Sequence, residues 1–178
     1  MTMTTTLVRT GSALAAAGLL VGMLSACTPE ADPTPTPTKT AAFATDEEAF
    51  AAAEETYRAF IRENSRVDGN EDALLGGIAL EEHLKAEEQL KDAGVRGMGE
   101  ARVKSFVVVP SSLSTDRTSL TAEACVDISD VRVVDDSGED VTPNGRPNII
   151  ATRVEMELSG GRFLIFKDLD RENEECAG

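Results

Sequence analysis

The chain has 178 residues, with 17 basic and 32 acidic side chains, a formal net charge of −15, one histidine and no tryptophan. This excess of negative charge repels phosphate groups, so we expect no nucleic-acid partner and no charge-driven binding to anionic membranes. The lack of tryptophan, with aromatic residues at 4%, argues against an aromatic platform for carbohydrates. The length suits one folded domain.

The N-terminal segment is apolar but short. Residues 13–24 read ALAAAGLLVGML, with Arg9 before them and no acidic residue before Glu30. A membrane-spanning helix needs roughly 20 apolar residues, so this run fits the hydrophobic core of a signal peptide better. We therefore predict that the chain is exported.

Cys27 follows this segment directly, in the motif Leu24-Ser25-Ala26-Cys27. The motif resembles the lipobox of bacterial lipoproteins. This resemblance implies that residues 1–26 are a signal peptide removed before Cys27. It also implies that the Cys27 thiol carries a lipid that holds the protein on the extracytoplasmic face of the cell membrane. The alternative is an ordinary secretory signal followed by a structural cysteine.

Residues 27–44 are rich in proline and threonine and contain four prolines between positions 29 and 37. Such a composition favours extended, solvated chain. We predict a tether over 27–44 and a single folded domain over 45–178.

Two further cysteines, Cys125 and Cys176, belong to the predicted domain. Disulfides persist in exported proteins, so we expect these two cysteines to pair. A redox or metal pair is the alternative, but the sequence has no CxxC motif and only one histidine to support it.

Two helices are predicted at the start of the domain, over 45–66 and 79–92, with a short helical piece near 71–75. Thr45 and Glu48 have the spacing of a capping box. The first helix has one apolar stripe at helical spacing, formed by Phe50, Ala53, Tyr57, Phe60 and Ile61.

Alternating patterns replace helical ones after Gly99. Strands are predicted over 101–109, 117–128, 149–158 and 162–170, with 131–135 as a short continuation of the second of these. The inward positions of the two middle strands are Leu120, Ala122, Ala124, Val126, Ile128, Ile150, Val154, Met156 and Leu158. This order predicts an α+β fold in which N-terminal helices pack on a curved antiparallel sheet of about four strands.

This order of elements resembles the NTF2-like, or cystatin-like, α+β cone. The lipobox, the tether, the helix AEETYRAFIREN, the segment from Gly97 to Phe106 and a cysteine in AEACVDIS resemble small actinobacterial lipoproteins with such a domain. Those proteins usually have a tryptophan in the last strand, where this chain has Phe163. Members are mostly of unknown function, so the resemblance implies an architecture and a pocket between helices and sheet.

The candidate pocket is lined by five apolar or aromatic residues: Phe50, Tyr57, Phe60, Leu84 and Phe166. We expect a non-enzymatic module that binds a protein or a small apolar ligand, with no cofactor, no metal ion and no catalytic residue. An NTF2-like isomerase or hydratase that uses a pocket around Tyr57 is the alternative. A purely structural spacer of the cell envelope is the third possibility.

Three features with possible chemistry have simpler interpretations. Tyr57 is expected to be a core residue because no carboxylate points clearly inward; Glu123 and Asp127 lie on the less apolar strand face. His83 lies in EEHLK and is expected to be solvated, although it could act as a general base. The acidic residues between 127 and 140 lack the spacing of a calcium loop and suit a solvated hairpin tip.

Overall fold

The computed structural model describes residues 41–171 and Cys176. The predicted signal peptide, Cys27 and most of the predicted tether lie outside the described residues. The elements, in chain order, are α1 (Asp46–Asn64), a 3₁₀ helix (Glu71–Leu74), α2 (Gly77–Asp92), β1 (Val95–Met98), β2 (Arg102–Val108), a second 3₁₀ helix (Pro110–Ser112), β3 (Ser119–Asp127), β4 (Arg132–Asp135), β5 (Ile149–Ser159) and β6 (Arg162–Arg171).

The main sheet has four antiparallel strands in the order β2-β3-β5-β6. The predicted α+β class and its four strands are confirmed. A second sheet, which the sequence did not predict, is formed by β1 and β4. Residues 131–135 were expected to continue β3, but Val133 and Val134 pair with Gly97 and Arg96 of β1. That short ribbon was missed because neither of its strands alternates over more than four residues.

Helix α1 begins at the capping box that the sequence predicted at Thr45 and Glu48. The Thr45 hydroxyl accepts a hydrogen bond of 3.1 Å from the backbone N–H of Glu48, and the Glu48 carboxylate accepts one of 2.9 Å from the N–H of Ala44. These bonds satisfy backbone donors that the first helical turn leaves without partners. The buried face of the helix includes Ala53, Tyr57 and Phe60, so the predicted stripe faces the core.

The core lies between α1, the beginning of α2 and one face of the main sheet. The alternation predicted for β3 is confirmed, because Leu120, Ala122, Ala124 and Val126 are buried. Val154 and Met156 of β5 are buried on the same side. Strict alternation holds in β3 because its register with β5 runs without interruption from Ser119 to Asp127.

The last strand departs from strict alternation. Glu155 of β5 pairs with Lys167, but Met156, the next residue, pairs with Ile165. Phe166 is therefore an extra residue, a β-bulge on β6. Its ring lies against the beginning of α2, where a Cβ atom added to Gly77 would come within 2.7 Å of it. Gly76 donates its N–H to the carbonyl of Ile165 at 2.8 Å, which ties the same segment to β6.

The disulfide joins Cys125 of β3 to Cys176, as predicted. Cys125 alternates with the buried residues Ala124 and Val126, so it lies on the sheet face opposite the helices. Arg153 and Glu123 form an ion pair on that face, with 2.9 Å between Nη2 and Oε1. The covalent link and the helical layer are therefore on opposite sides of the main sheet.

Within residues 41–171, none of the helices is both long enough and apolar enough to cross a bilayer.

Candidate functional site

A cavity of about 230 Å³ lies between α1, α2 and β6. Seven residues line it: Phe60, Leu75, Ala79, Glu82, His83, Ala86 and Asp168. The wall is mostly apolar on the side of the core and open to solvent at the exposed residues Glu82 and Ala86. Its volume is below the roughly 300–1,000 Å³ of typical ligand pockets, so it suits only a small ligand.

The β-bulge at Phe166 brings a carboxylate to this cavity. Phe163 and Ile165 are buried in the core, and strict alternation would place Lys167 and Leu169 beside them. The extra residue reverses that pattern, so Asp168 lies opposite Val154. Lys167 instead forms an ion pair with Glu155 of 2.7 Å, and Leu169 is 47% exposed.

Asp168 is a partly buried acid. Its Oδ1 is buried and has no hydrogen-bond partner among the described residues. Burial raises the pKa of the Asp168 carboxyl to about 6; the hydroxyl of Thr152 opposes this rise, the charge of Asp170 adds to it, and the hydroxyl of Tyr57 opposes it. At neutral pH the group is therefore mostly ionised but close to its midpoint.

Tyr57 lies behind Asp168, in the core. Its ring packs against those of Phe60 and Phe106, with centroids 6.2 Å and 5.4 Å away. Its hydroxyl lies 3.1 Å from Oγ1 of Thr152. Burial, together with the negative charge of Asp168, raises the pKa of the Tyr57 hydroxyl above its usual range. Tyr57 thus stays neutral, pairs with Thr152 in the core, and does not line the cavity.

His83 lies on the cavity wall with 16% of its side chain exposed. The expectation that it is solvated is wrong. Its ring packs edge-on against Phe60, with centroids 6.2 Å apart. Residues spaced three or four apart share a helix face, and Ala79, His83 and Ala86 form the face of α2 that meets the cavity. The sequence predicted a solvated His83 because acidic residues flank it in EEHLK.

The predicted pocket residues are not all brought together. Phe60 lines the cavity, and Tyr57 packs directly behind it. Phe50 is half-buried against the core, and Phe166 rests on the beginning of α2. Leu84 is 47% exposed, contrary to its expected inward placement. It follows His83 by one residue, which turns it about 100° around the helix and away from the cavity.

Asp168 is the residue that sequence reasoning missed. The expectation that no carboxylate points inward is wrong, because a strict alternation of two residues cannot predict the bulge.

The acids near the hairpin of β4 behave as expected of a polar turn. Asp135 Oδ1 accepts backbone hydrogen bonds from Ser137 and Glu139, both at 2.9 Å. Hydrogen bonding within the turn lowers the pKa of Asp135.

Comparisons with known proteins do not assign this chain to a family. No family model matches the sequence, and no curated protein matches it. The chain is similar in structure to the intermembrane space region of the chloroplast protein ARC6, with a TM-score of 0.47 at 17% identity over 68% of this chain and 97% of that one.

A second similar structure is a protein of Xanthomonas campestris described as a candidate polyketide cyclase. The TM-score is 0.38 at 15% identity, over 71% of this chain and 94% of that one. Similarities at this level of identity do not extend to activity or partners.

Proposed function

We propose that this domain binds a small molecule that has a mostly apolar body and one hydrogen-bond donor, preferably a protonated amine. We further propose that a lipid on Cys27 displays the domain on the extracytoplasmic face of the cell membrane. The single observation that carries the binding proposal is the position of Asp168, whose buried Oδ1 lacks a partner among residues 41–171 and which lines an otherwise mostly apolar cavity.

The chemistry of the wall selects the kind of ligand. A buried carboxylate oxygen without a donor is costly, by about 1–3 kcal/mol, and a ligand N–H or O–H would remove that cost. Phe60, Leu75 and Ala79 offer apolar contact beside it. The chain's net charge of −15 attracts cations to its surface, which favours an amine over a neutral alcohol.

Binding is tested by NMR titration of the mature chain from residue 27. Cys27→Ser removes the lipid, and export to an oxidising compartment allows Cys125 and Cys176 to pair. Benzylamine, benzyl alcohol and toluene share one ring and differ in the donor. At pH 8 we expect binding to weaken in that order, and Asp168→Asn to weaken amine binding by about tenfold. Asp68→Asn, an exposed acid in a turn, is the matched control.

Absence of binding by any of the three probes would contradict the proposal. So would amine binding that Asp168→Asn and Asp68→Asn change equally, because the amine would then only sense the net charge. Native mass spectrometry of the same preparation would show a co-purified ligand as an added mass that denaturation removes.

The anchoring proposal is tested separately. The wild-type chain, expressed with its own N-terminal segment in a bacterium that is fed labelled palmitate, is expected to incorporate label and to sediment with membranes. Cys27→Ser is expected to do neither. Incorporation of label by the Cys27→Ser variant would refute the assignment of Cys27 as the lipidated residue.

A second candidate function, an isomerase, is favoured by the pKa of Asp168. A carboxyl with a pKa of about 6 in an apolar cavity is suited to take a proton at neutral pH and return it. In such a reaction Asp168 takes a proton from carbon next to a carbonyl and delivers it to another carbon, so no oxidant or co-reactant is needed. The isomerase would use the same cavity as the binding module, but it would also catalyse proton exchange, which can be measured.

Deuterium exchange distinguishes the two functions. The mature chain is incubated in D₂O with small cyclic ketones, and the loss of α-proton signals is followed by NMR. An isomerase would accelerate exchange, and Asp168→Asn would abolish the acceleration. Exchange at the rate of buffer alone, with ligand binding intact, would leave the binding module as the function.

A further inference from the structure

Four titratable side chains meet at the junction of the first 3₁₀ helix with α2. The Nε2 atom of His83 lies 3.8 Å from Oε1 of Glu71 and 3.8 Å from Oε1 of Glu87. It also lies 3.7 Å from Oδ1 of Asp72. These separations are too long for hydrogen bonds, so the imidazole nitrogen faces three carboxylates across a gap.

Two polar atoms in this group have no partner within the described part of the chain: Nε2 of His83 and Oε2 of Glu71, both buried. Their side chains are only 16% and 14% exposed. A charged imidazole that merely neutralised these acids would be expected to donate a direct hydrogen bond of about 2.7–2.9 Å. The open spacing and the unpartnered atoms together indicate room for an ion between the groups.

We propose that Glu71, His83 and Glu87 bind a divalent transition-metal ion. One ligand atom from each of these residues lies within 4.8 Å of the other two. Around tetrahedral Zn²⁺, with bonds of about 2.0–2.2 Å, neighbouring donor atoms are roughly 3.3–3.5 Å apart. Each carboxylate oxygen needs to move about 0.3–0.5 Å closer to Nε2 of His83, and the two oxygens, which lie within 4.8 Å of each other, need to move closer together by up to about 1.5 Å.

Two elements of the fold hold the three ligands. His83 and Glu87 are four residues apart on α2 and so project from one face. Phe60 of α1 packs against the imidazole ring, and Glu71 comes from the 3₁₀ helix. Imidazole nitrogen with carboxylate oxygen is a donor set that suits Zn²⁺ and related ions. Because His83 also lines the cavity, the ion would lie at the cavity wall.

The site is tested with Zn²⁺ alone, so the result does not depend on ligand binding at Asp168. The mature Cys27→Ser chain, with its disulfide formed and no polyhistidine tag, is stripped with a chelator and titrated against a chromophoric zinc indicator. We expect one Zn²⁺ per chain. His83 is the chain's only histidine, so its imidazole ¹⁵N signals report directly whether Nε2 becomes a ligand.

Matched variants identify the ligands. Glu87→Gln and His83→Gln are expected to weaken zinc binding by about tenfold or more. Glu88→Gln makes the same change of charge on the next, exposed residue of α2 and is expected to leave binding within about twofold. Since Glu87 is half-exposed, Glu87→Gln remains informative even if His83→Gln unfolds the chain.

Three results would overturn the proposal. The first is the absence of saturable zinc binding. The second is binding that Glu87→Gln and Glu88→Gln weaken equally, which would mean attraction by net charge. The third is binding that leaves the imidazole ¹⁵N signals of His83 unmoved, which would place the ion elsewhere.

Discussion

The hydroxyl of Tyr57, on α1, lies 3.1 Å from Oγ1 of Thr152, on β5. Both hydroxyls also lower the pKa of the Asp168 carboxyl on β6 against the effect of its burial. One polar cluster therefore joins the helical layer to two strands inside an otherwise apolar core. Buried polar groups are stabilising only when their partners are present, so this cluster makes specific predictions about pH and stability.

Replacing Asp168 with asparagine is expected to stabilise the fold at high pH. The native pKa of Asp168 is about 6, above its ordinary value of 3.8. The native state therefore binds the proton more tightly than the unfolded state does. This wild-type contribution is favourable at low pH and is lost as pH rises from about 4 to about 6. At pH 8, Asp168→Asn should gain up to about 2–3 kcal/mol.

The measurement is urea unfolding of both chains at pH 4 and pH 8. Asp68→Asn serves as the control because Asp68 is exposed in a turn. A free-energy difference between wild type and Asp168→Asn that is the same at both pH values would show that Asp168 has an ordinary pKa in the folded chain.

Removing the Thr152 hydroxyl is expected to raise the pKa of Asp168 above its value of about 6. The Thr152 hydroxyl lowers the pKa of the Asp168 carboxyl and so favours its ionised form. Thr152→Val has nearly the same shape and no donor, whereas Thr152→Ser keeps the donor. The Asp168 carboxyl ¹³C signal, followed by NMR over a range of pH, should move its midpoint upward in Thr152→Val only. Equal midpoints in the two variants would assign the shift to burial alone.

Alanine at Gly77 is expected to be more destabilising than alanine at Gly160. Both glycines have a positive φ, +52° and +60°, which costs an ordinary residue about 1–2 kcal/mol. A Cβ at Gly160 would meet open space, but one at Gly77 would lie 2.7 Å from the Phe166 ring. Chemical denaturation of both variants tests this difference. If the two variants lose equal stability, the contact of Phe166 with α2 does not constrain the fold.

Loss of the disulfide is expected to lower stability without disturbing the cavity. The bridge spans a sequence separation of 51 residues, for which chain entropy in the unfolded state gives about 4 kcal/mol as an upper figure. The double variant Cys125→Ala/Cys176→Ala should lose about 2–4 kcal/mol by guanidinium unfolding. Its NMR signals for Phe60 and His83 should not move, because the bridge lies on the other sheet face. Large shifts of those two residues would contradict that separation.

The sequence was sufficient wherever a local pattern determined the outcome. Thr45 and Glu48 fix the start of α1 through contacts within four residues. Leu120 to Val126 alternate without interruption, so their faces follow from the period of a strand. Cys125 and Cys176 form the disulfide that the sequence predicted for the two cysteines of the domain.

The candidate site was not predictable in the same way. The orientation of Asp168 depends on Phe166, and that residue bulges where its ring meets Gly76 and Gly77, about 90 residues earlier in the chain. His83 is mostly buried because its ring packs against Phe60 of α1 and faces Glu71 of the 3₁₀ helix, whereas its neighbours in sequence are acids. Both facts depend on contacts between distant segments, which hydrophobic periodicity does not record.

The bulge at Phe166 also sets how the cavity can change. If Phe166 took a regular place in the ladder, the two faces of β6 would exchange from that point onward, and Leu169 would turn inward and Asp168 outward without a substitution at either position. Deletion of Phe166 would instead leave Asp168 inward, because Ile165 and Lys167 would then alternate as neighbours. The acidic character of the cavity is thus specified by strand register as much as by residue identity.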